Sequence, residues 1–183
     1  MYDLATGGET PLRLRSHDSA RRFHATYHRS SRCRPAVAAG VSRLVAGGLS
    51  PEQRERQLDD LANLYAEHTN VRHPLAPLGD TPLRTRAELR AHFANSGGRT
   101  AGAVQFEATN ANVHVTADPE LVIFEFTYAG EANGRTFELP CIFVIRVRNG
   151  QIVESRDYGD HIGLARTFGR LDDLIDQLHD RDR

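Results

Sequence analysis

Apolar side chains recur at every odd position from Phe137 to Val147, through Leu139, Cys141, Phe143 and Ile145, while Thr136, Glu138, Arg146 and Arg148 fall between them. A period of two is that of a strand buried on one face, so the odd positions form the inner face. Related patterns predict further strands over residues 104–116, 120–132 and 151–159. Asn133-Gly134 and Asn149-Gly150 separate the last three of these four strands. Both residue types tolerate the φ > 0 that tight hairpin turns require, so these strands are expected to run antiparallel.

Upstream, the apolar period becomes helical. Pro35 suits a first helical turn, and Val37, Val41, Leu44 and Val45 then make one stripe ending at Gly47-Gly48. Ser50-Pro51-Glu52-Gln53 reads as a capping box, opening a helix with Leu58, Leu61, Ala62 and Tyr65 inward. A short strand from Thr69 to His73 stops at Pro74. Thr85-Arg86-Ala87-Glu88 opens a second capped helix with Leu89 and Phe93 four apart. In the tail, Leu164, Phe168, Leu171, Ile175 and Leu178 keep helical spacing and predict one closing amphipathic helix. Helices followed by a run of strands imply an α+β fold, a curved and mostly antiparallel sheet wrapped around helices. Residues 1–15 are expected to be a loose leader, and 16–183 a single domain whose residues 16–48 form an N-terminal helical extension.

The turn at Asn149-Gly150 decides what the last strand can do, because one residue of slip moves every side chain to the other face. A strict two-residue loop pairs Arg146 with Val153 and Ile142 with Asp157, placing Asp157 on the Arg face. A three-residue loop with Gly150 in a bulge pairs Ile145 with Val153 and Cys141 with Asp157. The second register is preferred, since it turns Val153, Ser155 and Asp157 inward and leaves Glu154 and Arg156 in water. A carboxyl facing apolar neighbours has its ionised form disfavoured, which lifts its pKa toward values useful for proton transfer. The competing roles for Asp157 are a helix cap and an ion pair with a neighbouring arginine.

With 183 residues, 39% hydrophobic and 26% charged, and a net charge of −1, the chain can bury one core and shows no global bias toward nucleic acid. No apolar run reaches the ~20 residues of a membrane helix, and no signal-peptide core opens the chain, so a cytoplasmic location is expected. Cys33 and Cys141 read as reduced thiols. All 23 basic residues are arginine, which leaves no lysine for a Schiff base or a phosphate-binding loop. Residues 16–34 interleave Arg21, Arg22, Arg29, Arg32 and Arg34 with His17, His24, His28, Phe23 and Tyr27. A solvated helix face with Phe23 and Tyr27 packed inward is preferred to nucleic-acid contact. No cofactor is expected, and His73, Asp157 and His161 lack the spacing of a metal-ligand pair.

From Leu58 to Leu178 the order helix, strand, helix, hairpinned sheet resembles the nuclear transport factor 2-like superfamily. That superfamily includes ketosteroid isomerase, limonene epoxide hydrolase and the SnoaL-like polyketide cyclases. NLYAEHTNVRHPLAP, RTRAELRAHF and LPCIFVIRVRNGQIVESRDYGD carry the resemblance, which implies a cone-shaped α+β fold. Asp157, in Ser-Arg-Asp-Tyr, matches the carboxylate that epoxide hydrolases use as general base and is similar in place to the acid/base of the cyclases. His73 falls where ketosteroid isomerase keeps its catalytic Asp, and a histidine there could serve as base near neutral pH. Other family groups are replaced. The Arg and Asp of epoxide hydrolases fall at Phe124 and Phe126, the isomerase's oxyanion-holding acid at Phe143, and its helix tyrosine near Gly40. Losing such a donor typically costs about 10²–10³ in rate, so neither named reaction is expected.

The expected site is an apolar pocket with Tyr65, Phe93, Phe124, Phe126, Cys141 and Phe143 as walls and with His73 and Asp157 as polar points. One function that suits it is SnoaL-like acid–base chemistry on a small apolar oxygenated molecule: isomerisation, cyclisation or hydration. The other is a non-catalytic ligand-binding or dimerisation module, its pocket filled by the phenylalanines. A homodimer is expected through the outer sheet face, where Ile142, Val144 and Ile152 are apolar. Neither nucleic acid nor a membrane is expected as a partner.

Overall fold

The computed structural model describes residues 36–45, 48–99 and 103–181, so the expectations for the leader and for segment 16–34 lie outside the described residues. Helix α1 (36–45) is followed by α2 (Pro51–Asn63), β1 (Tyr65–Arg72), β2 (Leu83–Thr85) and α3 (Arg86–Arg99). Strands β3 (Ala103–Val115), β4 (Leu121–Ala132), β5 (Arg135–Arg148) and β6 (Gln151–Gly159) come next, then α4 (His161–Thr167) and α5 (Leu171–Arg181). The strands form one open sheet in the order β2-β1-β6-β5-β4-β3, and only β1 and β6 pair in parallel. The architecture is α+β, as the pattern implies.

Local chemistry builds these elements. Both Asn-Gly turns are two-residue loops in left-handed backbone, with φ of 53° and 71° at Asn133 and Gly134 and of 52° and 80° at Asn149 and Gly150. The Ser50 hydroxyl accepts from Gln53 N at 3.2 Å, and Ser50 N donates to Gln53 Oε1 at 2.8 Å, closing the capping box of α2. Glu88 N donates to Thr85 Oγ1 at 3.2 Å, and Thr85 N donates back to Glu88 Oε2 at 3.2 Å, so α3 is capped in the same way.

The odd positions of β5 from Phe137 to Val147 are all buried. Cys141, Phe143, Ile145 and Val147 pack with Val122, Phe124 and Phe126 of β4, Leu58 and Leu61 of α2 and Leu89 and Phe93 of α3, while Phe137 and Leu139 join a second cluster with Val45, Phe106 and Phe168. Each such side chain contributes roughly 1.5–3 kcal/mol by leaving water, so this face sets the register of the sheet. A Cβ at Gly40 would lie 2.4 Å from Leu61 Cδ2. Glycine there lets α1 rest directly on α2, which carries Val37, Val41, Leu44 and Val45 over the open end of the sheet.

Three local expectations are corrected. Tyr65 begins β1 rather than ending α2, because the chain leaves the helix at Leu64, whose carbonyl accepts from Ile152 N at 2.9 Å. The tail is two helices, broken at Gly169 (φ 66°), so that Phe168 can reach Phe137, their rings 5.9 Å apart. Ile152 is fully buried and takes no part in the outer face. Among the described residues, no helix is long and apolar enough to cross a membrane.

Candidate active site

Asp157 faces inward because of a bulge that lies one step beyond the turn. Leaving Asn149-Gly150, β6 pairs as a strict two-residue hairpin dictates: Arg148 opposite Gln151, then Val147 opposite Ile152. The register then shifts, so that Arg146 opposes Glu154, Ile145 opposes Ser155, and Phe143 opposes Asp157. The extra residue is Val153 and not Gly150, and the partner of Asp157 is Phe143 and not Cys141. The facing is nevertheless the preferred one, with Ser155 and Asp157 inside and Glu154 and Arg156 outside, because a shift of one residue in either direction restores the same parity. Thr69 of β1 holds the bulge: its buried hydroxyl donates to the Val153 carbonyl at 3.0 Å.

Asp157 opens onto a cavity of about 150 Å³. From the sheet, Asp157, Gly159, Phe143 and Tyr128 line it, with Tyr65 and His73 from β1 and the residue after it. Helix α3 adds His92, Phe93 and Ser96, and α1 closes the top with its valine and leucine stripe. The cavity thus brings together Asp157, His73, Tyr65, Phe93 and Phe143 from the expected set. Phe124 and Phe126 lie a layer behind, each 1% exposed and stacked at 4.7 Å, and Phe126 backs Phe143 edge-on at 5.0 Å. Cys141 is buried beside them and does not line the cavity; burial pushes its thiol up to about 12, which keeps it neutral.

The electrostatics single out Asp157. Burial raises its carboxyl from 3.8 to about 7, and a hydrogen bond donated by the Ser155 hydroxyl pulls weakly the other way. Neither competing role engages it. Arg146 lies on the outer face, bonded to Asp118 at 2.7 Å, Glu120 at 3.2 Å and Glu154 at 3.3 Å. Asp160 is the cap of α4, its Oδ1 accepting from Gly163 N at 2.7 Å.

His73 sits where β1 ends. Its backbone N–H donates to Asp80 Oδ1 at 2.9 Å, and Arg72 pairs with the same carboxylate, fixing the start of the 73–80 loop. These two bonds hold the Asp80 carboxyl below the usual range, the His73 N–H more than Arg72. The His73 ring stacks on His92 at 5.2 Å and meets His161 edge-on at 6.2 Å. His92, Ser96 and Tyr128 are site residues beyond the expected set. Ser96 follows His92 by four, so both face the cavity from one side of α3, and the Ser96 hydroxyl donates to the His92 carbonyl at 2.8 Å. Tyr128 continues the inward row Val122, Phe124, Phe126, and period two alone was the signal for it. Among the described residues, no three His, Cys, Asp or Glu side chains are grouped to hold a metal ion.

This architecture is shared with solved structures. A proposed isomerase from Bacillus subtilis superposes with a TM-score of 0.62 at 20% identity, over 79% of this chain and 96% of that one. A Catenulispora acidiphila protein with a ketosteroid isomerase-like fold, solved with trimethylamine, gives 0.54 at 18%, over 75% and 92%. A proposed polyketide cyclase from Xanthomonas campestris gives 0.54 at 18%, over 78% and 98%. At these identities the likeness establishes the fold alone. No curated protein shows significant sequence similarity to the chain. The SnoaL-like domain model, however, matches residues 52–155, from the first turn of α2 to the inward Ser155. That match covers more than half of the chain, which therefore belongs to the SnoaL-like domain family.

Proposed function

We propose that the chain is a cofactor-independent acid–base enzyme acting on a small apolar oxygenated molecule, with Asp157 moving the proton and His73 beside it. The observation that carries this reading is a half-buried carboxyl, pushed up to about 7 by loss of solvation, that opens onto a mostly apolar cavity. Near neutral pH both of its forms are populated, so one group can take a proton from carbon and return it elsewhere. Isomerisation, aldol-type cyclisation and hydration all use such a step. Typical ligand sites hold roughly 300–1,000 Å³, whereas an apolar cavity of roughly 150 Å³ admits benzene. The cavity of about 150 Å³ therefore favours a single-ring substrate.

Proton exchange tests this without knowledge of the natural substrate. In D2O at pH 8, the protein should accelerate exchange of the protons next to the carbonyl of cyclohexanone, as followed by NMR. Asp157→Asn should return the rate to that of buffer. His73→Ala should cost less if His73 only orients Asp157, and as much if it is itself the base. Binding of the ketone with no accelerated exchange would favour the non-catalytic binding module instead.

A further inference from the structure

A second cavity, of about 320 Å³, lies between the 73–80 loop and the two tail helices, outside the site described above. The break at Gly169 gives it two helical walls: Leu164 and Phe168, four apart on α4, and Leu174 on α5. Pro77 and Leu78 of the loop add a third. Its volume falls within the roughly 300–1,000 Å³ of ordinary small-molecule sites. Its polar groups are few. Arg170 stands at the head of α5, and among the described residues its one ionic partner is Asp173, Nε to Oδ2 at 3.8 Å. That separation is too long for a hydrogen bond, and both side chains reach water, so the guanidinium keeps its donors for another acceptor. His161 also lines this cavity, and its ring meets edge-on, at 6.2 Å, the His73 ring that lines the first.

We propose that this cavity is a second ligand site, for a small apolar carboxylic acid in its ionised form. The apolar body rests on Leu164, Phe168 and Leu174, and the carboxylate takes the forked donors of Arg170. A monoanion suits the site better than a phosphate, because Asp173 stands beside the single cation and repels a doubly charged group more strongly. An occupant touches His161 and the loop that begins at His73, so the second site adjoins the first without sharing its lining. It does not rest on the acid–base reading, which uses none of these residues.

The probes are 3-phenylpropionate and its uncharged relative 3-phenylpropanol, titrated at pH 7.5 into the isotope-labelled protein, with place and affinity read from amide NMR shifts. The acid should move the amides of Leu78, Leu164 and Leu174 most. Arg170→Gln removes the charge and should weaken the acid on the order of tenfold and the alcohol by less than about twofold. Asp173→Asn removes the competing negative charge and should tighten the acid about two- to threefold. Both side chains are exposed, so neither change threatens the fold. The second site is overturned if the unaltered protein does not bind the acid, or if the largest shifts surround Phe143 and Gly159 of the first cavity. It is overturned equally if Arg170→Gln leaves the acid unchanged or weakens both probes alike, or if Asp173→Asn weakens the acid. Each of these results leaves proton exchange by Asp157 untouched, so the two readings fail separately.

Discussion

Replacing Asp157 by asparagine should make the protein more stable, and increasingly so as pH rises. In the folded chain the carboxyl is raised from 3.8 to about 7 by burial. The difference is about 3 pK units, each worth about 1.4 kcal/mol, so ionised Asp157 costs on the order of 4 kcal/mol of folding free energy. Because the folded pKa lies above the unfolded one, the folded protein holds a proton that the unfolded chain releases between these values. The cost is absent below about pH 4, grows as pH rises to about 7, and is constant above. Asparagine is neutral throughout, is nearly the same shape, and can still accept the Ser155 hydroxyl. At pH 8 the variant should therefore gain about 2–4 kcal/mol, allowing for some relaxation of the carboxylate, or a rise in Tm of roughly 5–15 °C. Urea and thermal unfolding of both proteins from pH 4.5 to 8.5 measures it. Carboxylates held low, such as Asp80 and Asp118, are common to both proteins and cancel in the difference. A difference that is flat with pH, or that shrinks as pH rises, refutes the desolvated, ionisable Asp157 on which the acid–base reading depends.

Two further outcomes follow from the same geometry. Ser155→Ala removes the hydrogen bond that holds the Asp157 carboxyl down, so the pH at which proton exchange on cyclohexanone switches on should move upward; an unmoved midpoint would deny Ser155 that role. A homodimer through the outer sheet face is proposed from Ile142, 43% exposed, and from Ile123 and Val144, which pair across β4 and β5. Sedimentation at micromolar concentration should show the dimer, and Ile142→Glu should dissociate it, whereas a 20.4 kDa species alone would refute the interface.

Much of this molecule is written locally. The Asn-Gly turns, the two capping boxes and the odd-position row of β5 are decided within a few residues by φ tolerance, by hydrogen bonds to orphan backbone groups, and by a period of two. Those signals suffice for the α+β order and for which face of β4 and β5 is buried. The facing of Asp157 is different. The local rule for a two-residue turn sends it outward; Thr69, 84 residues earlier in the chain, bonds the Val153 carbonyl and holds the bulge that turns it in. Likewise, Phe126 and Tyr128 sit on one inward row, yet only Tyr128 meets the cavity. Nothing in their spacing separates them. The lining is set by where α1 comes to rest, and that follows from the missing Cβ of Gly40 against Leu61. The raised carboxyl, too, belongs to the tertiary structure alone, because desolvation is imposed on Asp157 by side chains from three strands and two helices that meet only when the chain has folded.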